Sequence, residues 1–291
     1  MSNEITVYEA NDIGSYGLVP RNTTDIQIVN MWIAQSNSAN TQAQYARVIH
    51  SFQSVVNKPM QRVNLSDLQQ WQQGLEGKAN TKKLHVNAIK SLFSFMQKTG
   101  YIVLNAAVML KPEKTVETKH TKTLTEEQVI KLVNSSDLSK RDEAIIRVLY
   151  SSAMRVSELC ALQWQDVIEQ GNKAILVIRG KGNKTRESGI SSKAYEAMKA
   201  LRNGASDTDF VFKSNRNQQM DRTTVNHLFT KLSAIIGKDI SPHWLRHSHV
   251  THALQRGANP TDVMNQAGHS SLAVTTTYAH SERFSSDVLI V

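Results

Sequence analysis

Tyr278, in the last part of the 291-residue chain, follows three threonines and lies between two histidines, His269 and His280. A phenol, with a pKa of about 10, is a weak nucleophile until a neighbour takes its proton and a counter-charge steadies the group it attacks. Upstream stand residue types suited to both tasks. Arg155 opens "RVSELCAL", with Ser157 and Glu158 just behind it. "HWLRHSHVTH" puts His243 and Arg246 three residues apart, on one face of a helix, with His247 on nearly the same side. Arginine supplies a permanently charged planar fork for oxyanions. Each feature also has a plainer reading: Arg155 pairing with Glu158 at a helix start, partly buried helix histidines, a packed tyrosine. Zinc is a further reading for His243, His247, His249 and His252. No cysteine pair and no H-E-x-x-H spacing accompany them, so no metal is expected.

The elements that must hold these residues are mostly helical. Residues 1–22 lack helical periodicity and read as a flexible arm. A helix is expected from Thr24 or Asp25, and a second from about Thr41, with Tyr45, Ile49, Phe52 and Val56 on one apolar face. A third is bounded by Ser66 and Gly77, and a fourth by Asn80 and Gly100. These four form a unit over residues 23–111. Residues 112–122 are polar and aperiodic and read as a linker, after which a second domain spans 123–291. There "KAILVIRGKGNKTRESGIS" carries a hairpin signal around a Gly-Lys-Gly-Asn turn. Helices follow near "KAYEAMKAL", "RTTVNHLFTKLSAIIG" and "HWLRHSHVTHALQRG". The fold class is therefore two-domain, mainly α with a small antiparallel β-sheet.

Composition narrows the partners. The chain has 40% hydrophobic and 20% charged residues, which suits a globular protein rather than a disordered one. Its net charge of +9 favours a polyanion. Residues 1–122 hold 13 Lys and Arg against 8 Asp and Glu, and residues 123–291 hold 21 against 17, so no single charged tail explains the excess. The longest aliphatic run, Ala174 to Ile178, cannot cross a membrane. Acids occupy "MSNEITVYEAND" where a signal peptide needs a basic and then an apolar stretch. With one cysteine, Cys160, no internal disulfide forms, and a cytoplasmic setting is expected.

Taken together, six positions in order resemble the tyrosine recombinase, or phage integrase, family. They are Arg155 in "RVSELCAL", Lys181 in "GKGNKTR", His243 and Arg246 in "HWLRHS", His269 in "GHSS" and Tyr278 in "TTTY". The resemblance covers residues 123–281. The N-terminal helices resemble the family's SAM-like core-binding domain, and the short stretch before them suits a simple, Xer-like architecture. Three departures are visible: Ala153-Met154 where Gly-Leu is common, Arg-Glu-Ser-Gly-Ile where a Val-Pro-Leu strand is common, and Ala267 for the common Leu. The second bears on the strand geometry behind Lys181.

The resemblance implies site-specific cutting and rejoining of double-stranded DNA through a 3′-phosphotyrosine, without metal, ATP or other cofactor. Tyr278 would be the nucleophile, Arg155 and Arg246 would hold the phosphate oxygens, and Lys181 would protonate the leaving 5′-oxygen. His243 would exchange a proton with the phenol, and His269 would hydrogen-bond the phosphate, with Glu158 and His247 orienting the set. The absence of a G-x-x-x-x-G-K-[ST] loop agrees with an ATP-independent reaction. Candidate DNA contacts are Arg47, Lys82 and Lys83 on the first domain, Lys184 in the hairpin turn, and Arg222, Thr223 and Asn226 at a helix start. The family further implies a C-shaped clamp and four protomers on two duplexes. The apolar end of "SERFSSDVLIV" is a candidate for exchange between protomers, and accessory directionality factors are possible partners. Two rivals remain: a type IB topoisomerase-like relaxing enzyme and a catalytically inactive DNA-binding regulator.

Overall fold

The structure, a computed structural model, describes residues 17–114, 122–180, 185–216, 218–269 and 271. The chain divides into two compact units between Glu117 and Thr118, and each has its own hydrophobic core.

The first unit holds four helices: α1 (Asp25–Ala34), α2 (Ala39–Val56), α3 (Leu65–Gln73) and α4 (Ala79–Lys98). Thr24 and Gln27 form a reciprocal capping box at the start of α1. The later helices begin where capping chemistry is best rather than where the pattern alone places them. α2 starts two residues before Thr41, because Ser38 accepts the Thr41 N–H. α3 is capped by Asn64 and not Ser66, since Asn64 and Asp67 satisfy each other's backbone N–H groups, and it stops at Gly74 rather than Gly77. α4 begins at Ala79, behind a Lys78 that makes no side-chain cap, so Asn80 is not its cap. Phe52 packs edge-on against both Trp71 and Phe93, with centroids 5.2 and 6.3 Å away, at the centre of the core. Part of the expected arm is pinned to this unit. The Leu18 N–H donates to the Thr99 carbonyl at 2.7 Å and Val19 packs on the core, so residues 17–22 are not a free extension.

The second unit runs α5 (Glu126–Val133), α6 (Lys140–Ser152), α7 (Val156–Ala161), β1 (Val167–Gln170), β2 (Lys173–Arg179), β3 (Thr185–Ile190), α8 (Ser192–Lys199), α9 (Arg222–Ile236), α10 (Pro242–Gln255) and α11 (Pro260–Ala267). The strands form one antiparallel sheet in the order β1-β2-β3. The first strand is an addition to the expected hairpin, because four residues reading Val-Ile-Glu-Gln are too few to show a period. Along β2, Ala174, Leu176 and Ile178 alternate inward to the core. The polar β3 keeps an unbroken register from Thr185 opposite Arg179 to Ile190 opposite Ala174, so the departure there leaves the pairing intact. Its buried Ser188 donates to the Ser152 carbonyl at 3.0 Å, which satisfies the hydroxyl inside the core. Cys160 is buried, and burial first, then Asp221, pushes its thiol up to about 11. Among the described residues no helix is long and apolar enough to cross a membrane.

Candidate active site

α6 ends at Ala153, which takes a left-handed conformation (φ 53°), and two residues later Arg155 caps α7. The turn aims Arg155 outward while its backbone faces Glu158. The Arg155 N–H donates to Glu158 Oε2 at 2.7 Å, and Nη1 donates to Oε1 at 2.9 Å. The helix-start pairing of the plainer reading is therefore real. It does not occupy the whole guanidinium: Nη2 donates to the Gly268 carbonyl at 3.2 Å, and the side chain stays 43% exposed.

Arg246 reaches the same place from α10. It is only 3% exposed, and its Nη1 donates to the Ala153 carbonyl at 2.6 Å. Arg246 is thus tied to the backbone two residues before Arg155 itself. One turn of α10 sets the His243 and His247 rings 4.5 Å apart. His269 arrives from the end of α11, where Gly268 (φ 67°) turns the chain and the His269 N–H donates to the Met264 carbonyl at 3.1 Å.

The electrostatics follow from this crowding. His243 is exposed on the first turn of α10, yet partial desolvation, then Arg246, Arg155 and Lys122, lowers its imidazole below the usual range. Burial, then His243, Arg246, His269 and Lys122, takes His247 down to about 3. Burial, then Arg246, Arg155, His243 and Arg186, takes His269 to about 4. All three rings are neutral at neutral pH beside fixed positive charge. A neutral imidazole can accept a proton, and an anion placed here would be offset by the Arg155 and Arg246 charges.

Arg186 was not among the expected residues. Its Nη1 and Nη2 grip Glu158 Oε1 and Oε2 at 3.0 and 2.7 Å, and its Nε donates to the Gln266 carbonyl at 3.0 Å. Burial alone would push the Glu158 carboxyl up. The Arg186 hydrogen bond, the Arg155 N–H, the Arg186 charge and the Arg155 side-chain hydrogen bond outweigh it and hold that carboxyl below its usual range. Strand alternation offered a signal, since Arg186 falls on the face of β3 that buries Ser188 and Ile190. An arginine at an inward position needs an acid. Gln266, whose amide donates to the Ser151 and Gly189 carbonyls at 3.1 and 3.3 Å, and Lys122 were also not foreseen.

The structure thus brings together Arg155, Glu158, His243, Arg246, His247 and His269. Lys181, Lys184, Tyr278 and the segment 281–291 lie outside the described residues. Arg222, Thr223 and Asn226 are exposed on the first turns of α9, behind the Asp221 cap. In the first unit Arg47 is exposed on α2, Lys82 lies 3.5 Å from Glu113, and Lys83 is half-buried on α4. The other two α10 histidines of the zinc reading lie against Tyr150: His252 is buried, with Nδ1 2.8 Å from the Tyr150 hydroxyl, and the His249 ring stands edge-on to the Tyr150 ring, centroids 6.0 Å apart. Among the described residues no three His, Cys, Asp or Glu side chains gather where an ion could be held.

The chain resembles known proteins in both sequence and fold. The phage integrase family matches residues 122–283, a span that includes all six positions from Arg155 to Tyr278. Tyrosine recombinase XerD of Yersinia pestis is 33% identical over 272 residues, covering 86% of this chain and 89% of its own length. Tyrosine recombinase XerC of Thermodesulfovibrio yellowstonii is 33% identical over 227 residues, covering 72% of this chain and 74% of its own. The fold matches a lambda integrase (75–356) dimer bound to a COC′ core site with a TM-score of 0.73 at 17% identity, over 90% of this chain and 97% of that one. The chain is therefore a member of the phage integrase (tyrosine recombinase) family of site-specific DNA recombinases.

Proposed function

We propose that Tyr278 attacks the scissile phosphodiester in a pocket formed by Arg155, Arg246, His243 and His269, with Lys181 supplying the leaving-group proton. The phenolic oxygen forms a bond to phosphorus, the bond from phosphorus to the 5′-oxygen breaks, and a 3′-phosphotyrosine results. His243, held neutral, takes the phenol proton, and Lys181 gives one to the departing 5′-oxygen. Charge builds on the non-bridging oxygens in the transition state, where the two guanidiniums and the His269 N–H act. Rejoining reverses the steps. The phosphodiester's energy is kept in the tyrosyl linkage, so no nucleotide is consumed. Glu158 and His247 orient these groups. The observation that carries this reading is the anchoring of Arg155 and Arg246 on the Gly268 and Ala153 carbonyls, beside two histidines whose rings both guanidiniums depress.

Residues 23–111 serve in this reading as the core-binding unit and 123–291 as the catalytic domain, joined through 112–122, with residues 1–22 preceding them. The partner is duplex DNA, held by Arg47, Lys82 and Lys83 on one unit and by Lys184, Arg222, Thr223 and Asn226 on the other. Lambda integrase has been seen as a dimer on a core site and as a tetramer on a Holliday junction, which supports assembly of four protomers on two duplexes. The segment 281–291 is the candidate for exchange between protomers, and accessory directionality factors are further partners.

A nicked suicide duplex tests the chemistry. Wild-type protein accumulates a covalent adduct, and Tyr278→Phe binds the duplex but forms none. An adduct that persists in Tyr278→Phe would falsify the nucleophile assignment.

A further inference from the structure

Arg186 is mostly buried beside the half-exposed Arg155. Its guanidinium edge is spent on both oxygens of Glu158, its Nε on the Gln266 carbonyl, and its side chain is 13% exposed. Arg155 shares the same carboxylate but is 43% exposed. Glu158, only 5% exposed, thus sits between one mostly buried arginine, which grips both its oxygens, and one half-open arginine. A buried carboxylate left with a single counter-charge draws that charge in, because an unpaired buried ion is costly. Without Arg186 the fork of Arg155 would turn onto Glu158 and away from any phosphate.

The stem of Arg186 has a second task. A Cβ on Gly268 would lie 2.9 Å from Arg186 Cδ and Nε and 3.0 Å from Cζ. The turn that carries His269 rests directly on this side chain. Arg186 therefore links three elements around the pocket: α7 through Glu158, the end of α11 through Gln266 and Gly268, and the sheet through its own place on β3, opposite Ile178.

We propose that Arg186 is a positioning residue for strand cleavage: it neutralises Glu158 from behind, leaves the outer edge of Arg155 for the phosphate, and sets the Gly268–His269 turn. This rests on the reading of the pocket given above. Its mark is an effect on rate rather than on DNA affinity, transmitted through Glu158.

The test compares wild type, Arg186→Gln, Arg186→Lys, Glu158→Gln and Arg186→Gln/Glu158→Gln on the nicked duplex, with thermal denaturation as the check on folding. At saturating DNA the single-turnover rate of Arg186→Gln is expected to fall roughly 100-fold, the loss that about an ångström of misplacement costs. The dissociation constant for DNA should stay within about threefold of wild type, since the missing group touches no phosphate. Arg186→Lys keeps the charge without the fork and should recover part of the rate. The double variant should be no slower than the slower single one, because both act on one link. Wild-type rates in Arg186→Gln, or losses that multiply in the double variant, overturn the proposal. If Arg186→Gln does not fold, Arg186→Lys decides: a rate equal to wild type overturns it, and a reduced rate at unchanged affinity supports it. Tyr278→Phe is run alongside. An adduct in that variant defeats the nucleophile reading, whereas no adduct there together with a fully active Arg186→Gln defeats only the role of Arg186.

Discussion

Arg246 donates to the carbonyl of Ala153 at 2.6 Å, and Ala153 is the one residue of the α6–α7 turn held at a positive φ, 53°. A buried charge of the proposed pocket is thus fixed by a backbone group whose direction depends on an unusual conformation. Alanine at this position bears a left-handed penalty of roughly 1–2 kcal/mol. Its methyl is fully buried beside Val250 and Val263, which offsets part of that. Ala153→Gly should be close to neutral, within about 1 kcal/mol, because relief of strain is balanced by lost burial and added chain entropy. Ala153→Val cannot adopt the turn easily. It should lose about 2 kcal/mol or more in urea unfolding and also slow cleavage, as the carbonyl that holds Arg246 swings away.

Gly268 combines φ 67° with direct contact on Arg186, so a methyl group there fails on both counts. Gly268→Ala is expected to destabilise by about 2 kcal/mol, from backbone strain and displacement of a packed side chain. Cleavage should slow more than DNA affinity weakens, measured by adduct formation against gel-shift titration. An unchanged cleavage rate would count against the turn as a support of the pocket.

The depressed histidines make a signed statement about pH. In the unfolded chain an imidazole takes up a proton below about 6.5. In the folded protein His269 waits until about 4 and His247 until about 3. Between those limits the unfolded state binds more protons, so stability must fall as pH falls from about 6.5 toward 4. Glu158 works in the opposite sense and lower down. Its lowered carboxyl stabilises above the ordinary glutamate range, and that contribution is lost only as pH drops through its folded value. Urea midpoints at pH 7.5 and 5 should therefore differ, with the lower midpoint at pH 5. Replacing His269 by Asn should shrink the difference; equal midpoints would contradict the burial of these rings.

Arg222, proposed to contact phosphate, is exposed on the first turn of α9, whereas Lys82 is already 3.5 Å from a carboxylate. Each phosphate contact releases about one counterion, so Arg222→Ala should reduce the slope of log affinity against log salt by about 1. Lys82→Ala should change it less. Fluorescence anisotropy with a labelled duplex across a salt series reads both, and an unaltered slope for Arg222→Ala removes it from the interface.

The order and contexts of Arg155, His243, Arg246 and His269 were legible in the chain, because each is bound to a local pattern: a helix start, a one-turn spacing, a glycine stop. The mainly helical class with a small sheet was legible for the same reason. Arg186 was not. Its partners are Glu158, 28 positions away, and Gln266, 80 positions away, and in isolation a charged residue in a strand looks solvated. Helix starts slipped for a related reason: Asn64 outcompetes Ser66 through a reciprocal pair with Asp67, and that choice depends on two side chains at once. Strand β1 exists because β2 offers it a partner from Leu176 to Lys173, and its own four residues carry no such information.

The sealed position of Cys160 has a practical consequence. It is the sole cysteine of the chain, 4% exposed, with a thiol pushed up to about 11, so it scarcely forms the thiolate that alkylating reagents need. The protein thus arrives as a blank background for site-directed labelling. A cysteine introduced at Thr223, in the exposed first turn of α9, becomes the reactive thiol of choice for a fluorophore or a disulfide tether to a modified base, with no native cysteine to remove first.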